Sequence, residues 1–313
     1  MFGRTITLKP FYSFDSCLSL VHQDLNQSGL LKLSTMKKTT AFLQQKKNDH
    51  QPITMLTAYD FPTALIQDQA GVDVVLVGDS VGTNVLGYES EKEVTTADMS
   101  HHLRAVVRGV KSAFIMVDMP YGSADDPFFA YENALSFMDQ GADCVKIEGW
   151  KEKKSVIANL ADKGICVCAH IGYNPQIHGS KATTFGKDAP QALELITSAQ
   201  VLQNAGASMI LIEKVPEEIA ELISIELKIP VIGIGSGRRC DAQVLVVNDI
   251  FGLAPKVFRH VHRYADLKPL MFEAVKNYCD DVISRKFPFD ENIWHCTQEE
   301  LEKVKLAKLN GKK

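Results

Sequence analysis

A carboxylate, a hydroxyl or a cation follows nearly every short apolar run in this chain. Asp79-Ser80 follows residues 72–77, Asp118 follows 113–117, and Lys146 and Glu148 close the run at 143–147. His170 follows 165–169, Glu213 follows 208–212, and Gly235-Ser236-Gly237 follows 230–234. Two aspartates and a glutamate, with no cysteine or histidine cluster beside them, suit a hard divalent cation. Mg2+ takes few protein carboxylates and completes its shell with water or substrate oxygens, and the paired histidines of zinc sites are missing. Left alone, such carboxylates repel one another and raise their own pKa values, so either a metal or a proton belongs among them. Lys146 supplies a fixed cation for an anionic substrate and Ser80 a hydroxyl donor. A substrate with a carboxylate next to a keto group would chelate the metal, which as a Lewis acid would stabilise an enolate. Glu213 ends the apolar run Met209-Ile-Leu-Ile-Glu213 and suits a base with a raised pKa. Its structural alternative is a buried ion pair with Lys214. The chemistry that fits is metal-assisted work on a carbon acid.

Residues so far apart in the chain can meet only if the elements between them repeat. Apolar runs at 53–58, 72–77, 113–117, 143–147, 165–169, 208–212, 230–234 and 244–250 are rich in Val and Ile, as strands buried on both faces are. Helix-like stretches lie between them: 97–110, one opened by Asp126-Pro127, and 189–205 ending at Gly206. Eight strand-helix units fit a single (β/α)8 TIM-type barrel better than a doubly wound sheet. The competing dinucleotide-binding reading lacks its fingerprint, because Gly233-Ile-Gly235-Ser-Gly237 is GxGxG and not GxGxxG. Barrel active sites assemble at the carboxyl ends of the strands, so the reactive residues would share one mouth. Asp60, after the first run, reads instead as a helix N-cap.

Composition narrows the class. The 313 residues are 45% hydrophobic and 23% charged, which excludes a disordered or collagen-like chain. A formal charge of −4 leaves no basic footprint for nucleic acid, and no apolar run approaches membrane-spanning length. Seven cysteines with no CxxC pair point to an intracellular, reduced protein; Cys166 and Cys168 read as buried thiols on one strand face. Asn26-Gln27-Ser28 fits a glycosylation sequon but stands without a secretory signal. Residues 1–48 hold seven basic side chains against two acids, so with the chain at −4 the remainder carries −9. That basic, hydroxylated segment has the character of a mitochondrial transit peptide, with a plain extension in a cytoplasmic protein as the alternative. The expected organisation is an extension over 1–48, a catalytic barrel over 49–296 and a charged tail over 297–313, and loss of residues 1–45 is expected to leave the barrel active.

Thr57-Ala-Tyr-Asp60, Leu76-Val-Gly-Asp-Ser80, Val117-Asp-Met-Pro120 and Val145-Lys-Ile-Glu-Gly149 resemble the strand-end motifs of the ketopantoate hydroxymethyltransferase family. So do Ala169-His-Ile-Gly172 with Pro175-Gln176, Leu211-Ile-Glu213 with Val215-Pro216, and Ile229-Pro-Val-Ile-Gly-Ile-Gly-Ser-Gly237. The ordered motifs extend from Ile53 to Phe287-Pro288. The resemblance implies a (β/α)8 barrel that transfers a hydroxymethyl group from 5,10-methylenetetrahydrofolate to 3-methyl-2-oxobutanoate, giving 2-dehydropantoate on the way to pantothenate and coenzyme A. It implies Asp79 and Asp118 as Mg2+ ligands, with Glu148 beside the metal directly or through water. Ser80 and Lys146 match residues that hold the keto acid, Glu213 the proton acceptor, and His170 a pocket residue whose plainer role is hydrogen-bonded support. It also implies a homo-oligomer, a decamer.

Several positions depart from the family pattern. Asp241-Ala242-Gln243 stands for Asp-Gly-Gln, a change that matters only if the backbone there needs positive φ. The loop at 180–187, the Pro255-Lys-Val-Phe-Arg259 segment and Trp294-His295 after Phe287-Pro-Phe-Asp-Glu291 also differ. Two other readings compete. One is a different Mg2+-dependent carbon–carbon lyase acting on an α-keto acid, of the isocitrate lyase and phosphonopyruvate class; its Lys-Lys-Cys-Gly-His loop has no counterpart here. The other is a barrel kept as a non-enzymatic scaffold, but no strand-end acid is missing.

Overall fold

The structure, a computed structural model, describes residues 36–179, 183–254 and 256–310. Eight strands run parallel and close into a barrel in chain order. They are β1 (Ile53–Thr57), β2 (Val74–Val77), β3 (Phe114–Asp118), β4 (Cys144–Glu148), β5 (Val167–Gly172), β6 (Met209–Glu213), β7 (Val231–Ile234) and β8 (Ala242–Leu245). Closure comes from β8, which pairs with both β7 and β1. The strand-to-strand connections carry α2 (Phe61–Gln69), α3 (Thr96–Gly109), α4 (Pro127–Asp139), α5 (Lys154–Asp162), α7 (Ala189–Asn204) and α8 (Glu217–Glu226). The (β/α)8 expectation holds.

Strand side chains alternate between two faces, and the barrel gives each face its own core. Outward residues such as Val75, Val77, Ile115, Val117, Val145, Ile147, Ile210 and Ile212 pack under the helices. Inward residues Ile53, Met55, Val74, Leu76, Phe114, Met116, Cys144, Cys168, Met209, Leu211, Ile232 and Val244 fill the interior. Following that inward stripe two residues further along its strand leads to Asp118, Lys146 and then Glu148, His170, and Glu213. The residues that fill the barrel and the residues that could do chemistry thus occupy one stripe, apolar below and ionic above. Helix starts are locally encoded. Asp60 caps α2 by accepting from the Thr63 amide at 2.8 Å, and Asp126 caps α4 ahead of Pro127. Thr95 and Asp98 form a reciprocal capping box at α3.

The eighth strand differs from expectation. It spans Ala242–Leu245, and residues 247–250, read as its continuation, form the short helix α9 (Val247–Ile250). The Val247 amide donates to Thr57 Oγ1 at 3.0 Å, which turns the chain across the mouth and ends the strand. An apolar run of that length does not distinguish a strand from a strand plus one helical turn. Ala242 lies in this strand with no positive φ, so its replacement of glycine carries no backbone penalty.

The barrel also begins earlier than expected. Helix α1 (Thr40–Asn48) closes its bottom, with Leu43 only 1% exposed and packed among Ile53, Met55, Val74 and Phe114. Lys38 and Lys46 lie 3.0 and 2.6 Å from the Asp73 carboxylate, Lys47 lies 2.6 Å from Asp241, and Lys37 lies 2.8 Å from Asp143. Four of the basic residues that made the segment 1–48 look like a leader are therefore anchors to carboxylates at the strand starts. The boundary at residue 48 falls after a barrel element, and loss of residues 1–45 would remove Leu43 and two of these lysines. Composition missed this because the paired acids lie far along the chain. Residues 1–35, including Cys17 and the Asn26 sequon, lie outside the described residues, as do 180–182 of the variant loop. Beyond the barrel, α10 (Leu267–Ile283) and α11 (Gln298–Asn310) contain no buried residue. Among the described residues no helix is long and apolar enough to cross a membrane.

Candidate active site

The upper ends of the inward stripe meet in one cavity of about 830 Å³. Asp79, Asp118, Lys146, Glu148 and His170 are each 5% exposed or less, and Ser80 and Glu213 complete the lining. Of the strand-end residues singled out from the sequence, Asp60 serves as the helix cap described above and Gly235-Ser236-Gly237 do not line the cavity, Ser236 Oγ being bonded to the Val215 amide and the Ile212 carbonyl; the others are brought together.

Asp118 reaches over to the next turn: its Oδ2 accepts the Asp79 amide at 3.0 Å. Gly78 allows that close approach, since a Cβ there would lie 2.9 Å from Ser80 Oγ and 3.5 Å from Asp118 Oδ2. Lys146 Nζ lies 3.1 Å from Asp118 Oδ1 and 3.7 Å from Glu148 Oε1. The first contact is poorly aligned, and Asp118 Oδ1 is left buried without a directed donor. His170 sits between two acids, with Nδ1 3.3 Å from Glu148 Oε1 and Nε2 3.5 Å from Glu213 Oε2; that Nε2 has no hydrogen-bond partner. Glu213 is not alone in apolar surroundings. Lys214 Nζ lies 3.6 Å from its Oε1 while resting 3.8 Å above the Tyr173 ring. The backbone of Lys214 is left-handed at φ 51°, a conformation that a bulky residue adopts at some cost. Gly172 makes room for this strand end, because a Cβ on it would run into the Glu213 carbonyl.

The charges do not balance locally. Burial raises the Asp79 pKa well above the ordinary carboxylate range, and the nearby Asp118 and Glu148 carboxylates add to the rise. Burial alone would raise Glu148 as well, yet His170, Lys146 and the Gln176 amide outweigh it and hold Glu148 low. Lys146 is driven the other way: burial would lower it, but Asp118, Glu148 and Asp79 raise it overall. His170 is also raised, since Glu148 and Glu213 outweigh its burial and the repulsion from Lys146. Asp118 has the Lys146 ammonium 3.1 Å from its Oδ1, whereas among the described residues Asp79 has the neutral Gln176 amide and no ion pair of its own. That deficit, the undirected Asp118 oxygen and an all-oxygen donor set fit a hard divalent ion held by two carboxylates. Glu148 is occupied by its contacts with Lys146, His170 and Gln176. Among the described residues no three acidic, imidazole or thiol groups converge on a single point.

Three further residues organise the site although their sequence context gave them no role. Gln176 donates through Nε2 to Asp79 Oδ2 at 2.7 Å and to the Met119 carbonyl at 3.0 Å, and its amide donates to Glu148 Oε2 at 2.9 Å. It ties two acids of the cluster to one short helix, α6 (Pro175–His178). Tyr59 pairs its hydroxyl with Ser80 Oγ at 2.9 Å, and Asn174 Nδ2 donates to the His170 carbonyl at 2.8 Å. Asn-Pro before a helical turn was the one local signal for the Gln176 group, and it speaks of a turn rather than of partners across the barrel.

The sequence profile of the ketopantoate hydroxymethyltransferase family matches residues 37–290. A 3-methyl-2-oxobutanoate hydroxymethyltransferase of Carboxydothermus hydrogenoformans is 42% identical over 273 residues, covering 85% of this chain and 98% of its own length. Those of Aeropyrum pernix and Geobacillus thermodenitrificans are 42% and 43% identical over 272 residues, covering 85% of this chain and 98% and 96% of their own. Similar solved structures include a phosphonopyruvate hydrolase complexed with oxalate and Mg2+ (TM-score 0.55, 12% identity, 87% of this chain and 96% of that one). A 2,3-dimethylmalate lyase has a TM-score of 0.54 at 14% identity, over 88% of this chain and 99% of that one. At those identities the solved structures share the fold alone. These three relatives are bacterial and archaeal, so the mitochondrial address read from residues 1–48 finds no support in them. With its barrel, its strand-end acids and a family profile spanning both, the chain belongs to the ketopantoate hydroxymethyltransferase family.

Proposed function

We propose that this hydroxymethyltransferase takes 3-methyl-2-oxobutanoate as acceptor and 5,10-methylenetetrahydrofolate as one-carbon donor, and forms 2-dehydropantoate with the help of Mg2+. The names of its relatives support the acceptor. The observation that carries the reading is the buried carboxylate pair Asp79 and Asp118, which has one buried ammonium, Lys146, between the two charges. Those two carboxylates would hold the ion, with Glu148 next to it. When bound, the ion polarises the keto group and makes the proton on C3 easier to remove.

The chain's own residues do the rest. Lys146 and the Ser80 hydroxyl receive the substrate's carboxylate and keto oxygens, and Tyr59 fixes the Ser80 hydroxyl from behind. Glu213 accepts the C3 proton as general base. His170, held between Glu148 and Glu213, keeps the base aimed into the cavity. Loss of that proton leaves C3 as the nucleophile for the one-carbon unit; the new C–C bond forms to the methylene carbon, water supplies the hydroxyl, and tetrahydrofolate leaves. A homo-oligomer, the family's decamer, also belongs to this reading. It is supported by α10, where Leu270, Phe272, Val275 and Ile283 are each more than 60% exposed and no described element of the chain covers them.

The test is exchange of the C3 proton of 3-methyl-2-oxobutanoate with deuterated water, followed by NMR with Mg2+ and no folate. Exchange that needs Mg2+, with product forming only on addition of methylenetetrahydrofolate, is expected. Product formation without the folate, or no exchange with Mg2+ present, would overturn the reading.

A further inference from the structure

The cavity holds one buried acid that the chemistry above leaves idle. Asp249, on α9, is 7% exposed and lines the same cavity as Asp79 and Glu213. Its carboxylate has no hydrogen bond or ion pair among the described residues. Arg263 acts on it only at longer range, and burial pushes its pKa up to about 6. A buried carboxylate without donors is costly. Its oxygens are open to the cavity and no described residue donates to them, so their donors come from water or from a ligand.

Its surroundings are rigid. The α9 turn is pinned by the Val247 amide on Thr57 Oγ1 at 3.0 Å, and Asn248 Nδ2 donates to the Asn84 carbonyl at 3.3 Å. Leu245, Val246 and Ala254 supply apolar lining next to the carboxylate. The keto acid cannot be its partner, because an anionic oxygen-rich molecule offers Asp249 only repulsion. The occupant of this end must be flat or apolar on its faces and must present N–H donors at one edge. A cavity of about 830 Å³ has room for such a cosubstrate beside a small keto acid. The pterin ring of a reduced folate has that chemistry, since N3–H and the 2-amino group point the same way and match the two oxygens of one carboxylate.

We propose that Asp249 is the specificity residue for the one-carbon donor, its carboxylate taking the N3–H and 2-amino donors of the pterin. The inference rests on the folate reading above and deepens it. Two variants test it, Asp249→Asn, which keeps the shape but replaces one acceptor oxygen by an amide NH2 that opposes the pterin donors, and Asp249→Ala. Binding of tetrahydrofolate is measured by calorimetry, together with C3 proton exchange of the keto acid without folate. Both variants should bind tetrahydrofolate about 10–100-fold more weakly, the loss for a charge-assisted hydrogen bond. Their exchange rates should stay within about twofold of wild type, which also shows that they fold. A tetrahydrofolate analogue lacking the 2-amino group should lose affinity for wild type by at least about 10-fold but bind the Ala variant as the parent does, a coupling that a merely structural Asp249 would not produce. Unchanged tetrahydrofolate affinity in a variant that exchanges normally, or an analogue penalty equal in wild type and variant, overturns this assignment while the transferase reading stands. Failure of wild type to use methylenetetrahydrofolate at all would remove the reading on which the assignment rests.

Discussion

The two ends of the barrel use the same residue types in opposite ways. At the bottom, each aspartate is satisfied. Asp73 accepts from Lys46, from Thr54 Oγ1 and from the Thr54 amide, with Lys38 at 3.0 Å, and although burial works against it these partners hold its pKa low. Asp68 is likewise pulled down against burial by the amides of Ala113, Ser112 and Lys111. At the mouth, Asp79 is buried next to other carboxylates and its pKa rises. The bottom carboxylates, with several donors or an ammonium each, tie strands and helices together, whereas Asp79 has one neutral side-chain donor, Gln176, and no ion pair among the described residues. Proteins break the rules of polar satisfaction mainly at functional sites, and at the mouth Asp118 Oδ1 and His170 Nε2 are two such breaks.

Substitutions at the two ends should therefore separate activity from stability. The largest effect is expected for Asp79→Asn, which should lower hydroxymethyl transfer about 10³-fold, in line with the several kcal/mol a Lewis acid supplies. Its melting temperature should match or exceed that of wild type without Mg2+, because a repulsive charge is gone; a clear drop in melting temperature would place Asp79 among the structural acids. At the other end, Asp73→Ala should cost about 3 kcal/mol of stability in urea unfolding, since it strands two lysines and an amide. It should leave turnover of the folded protein near wild type. Loss of turnover without loss of stability would erase the contrast.

Glu213→Gln sharpens the comparison within the mouth itself. It should slow C3 proton exchange about 10²-fold, the lower end of a general base's contribution, while Mg2+-dependent keto acid binding persists. Equal exchange in wild type and variant would move the base to His170 or to a water. The smallest effect is a pH slope. Because Asp73 has a lower pKa folded than unfolded, its contribution is complete above its unfolded value of about 3.9 and disappears as pH falls through the lower folded value. The stability gap between wild type and Asp73→Asn should thus be flat from about pH 5 upward and narrow in acid, read from urea midpoints. A gap that stays constant down to about pH 2 would show that the carboxylate charge is not what secures the bottom.

Local pattern carried much of this molecule into the sequence. Seven apolar runs became strands within a few residues of their expected limits, because a strand buried on both faces needs Val and Ile whatever its partners. Asp60, Asp126 and the Thr95–Asp98 box marked helix starts because a cap is made with amides two or three residues away. Period-two alternation then carried Asp118, Lys146, Glu148, His170 and Glu213 to the inward face, so the membership of the site was legible before any contact was known. Partnership was not. That Lys38, Lys46 and Lys47 belong to Asp73 and Asp241 rather than to a leader, that Gln176 bridges Asp79 and Glu148, and that Asp249 faces the cavity without a donor are contacts between residues tens to hundreds of positions apart. Such pairings depend on barrel closure and on which strand stands next to which. Charge and burial at each site follow from that closure, and no window of neighbouring residues contains it.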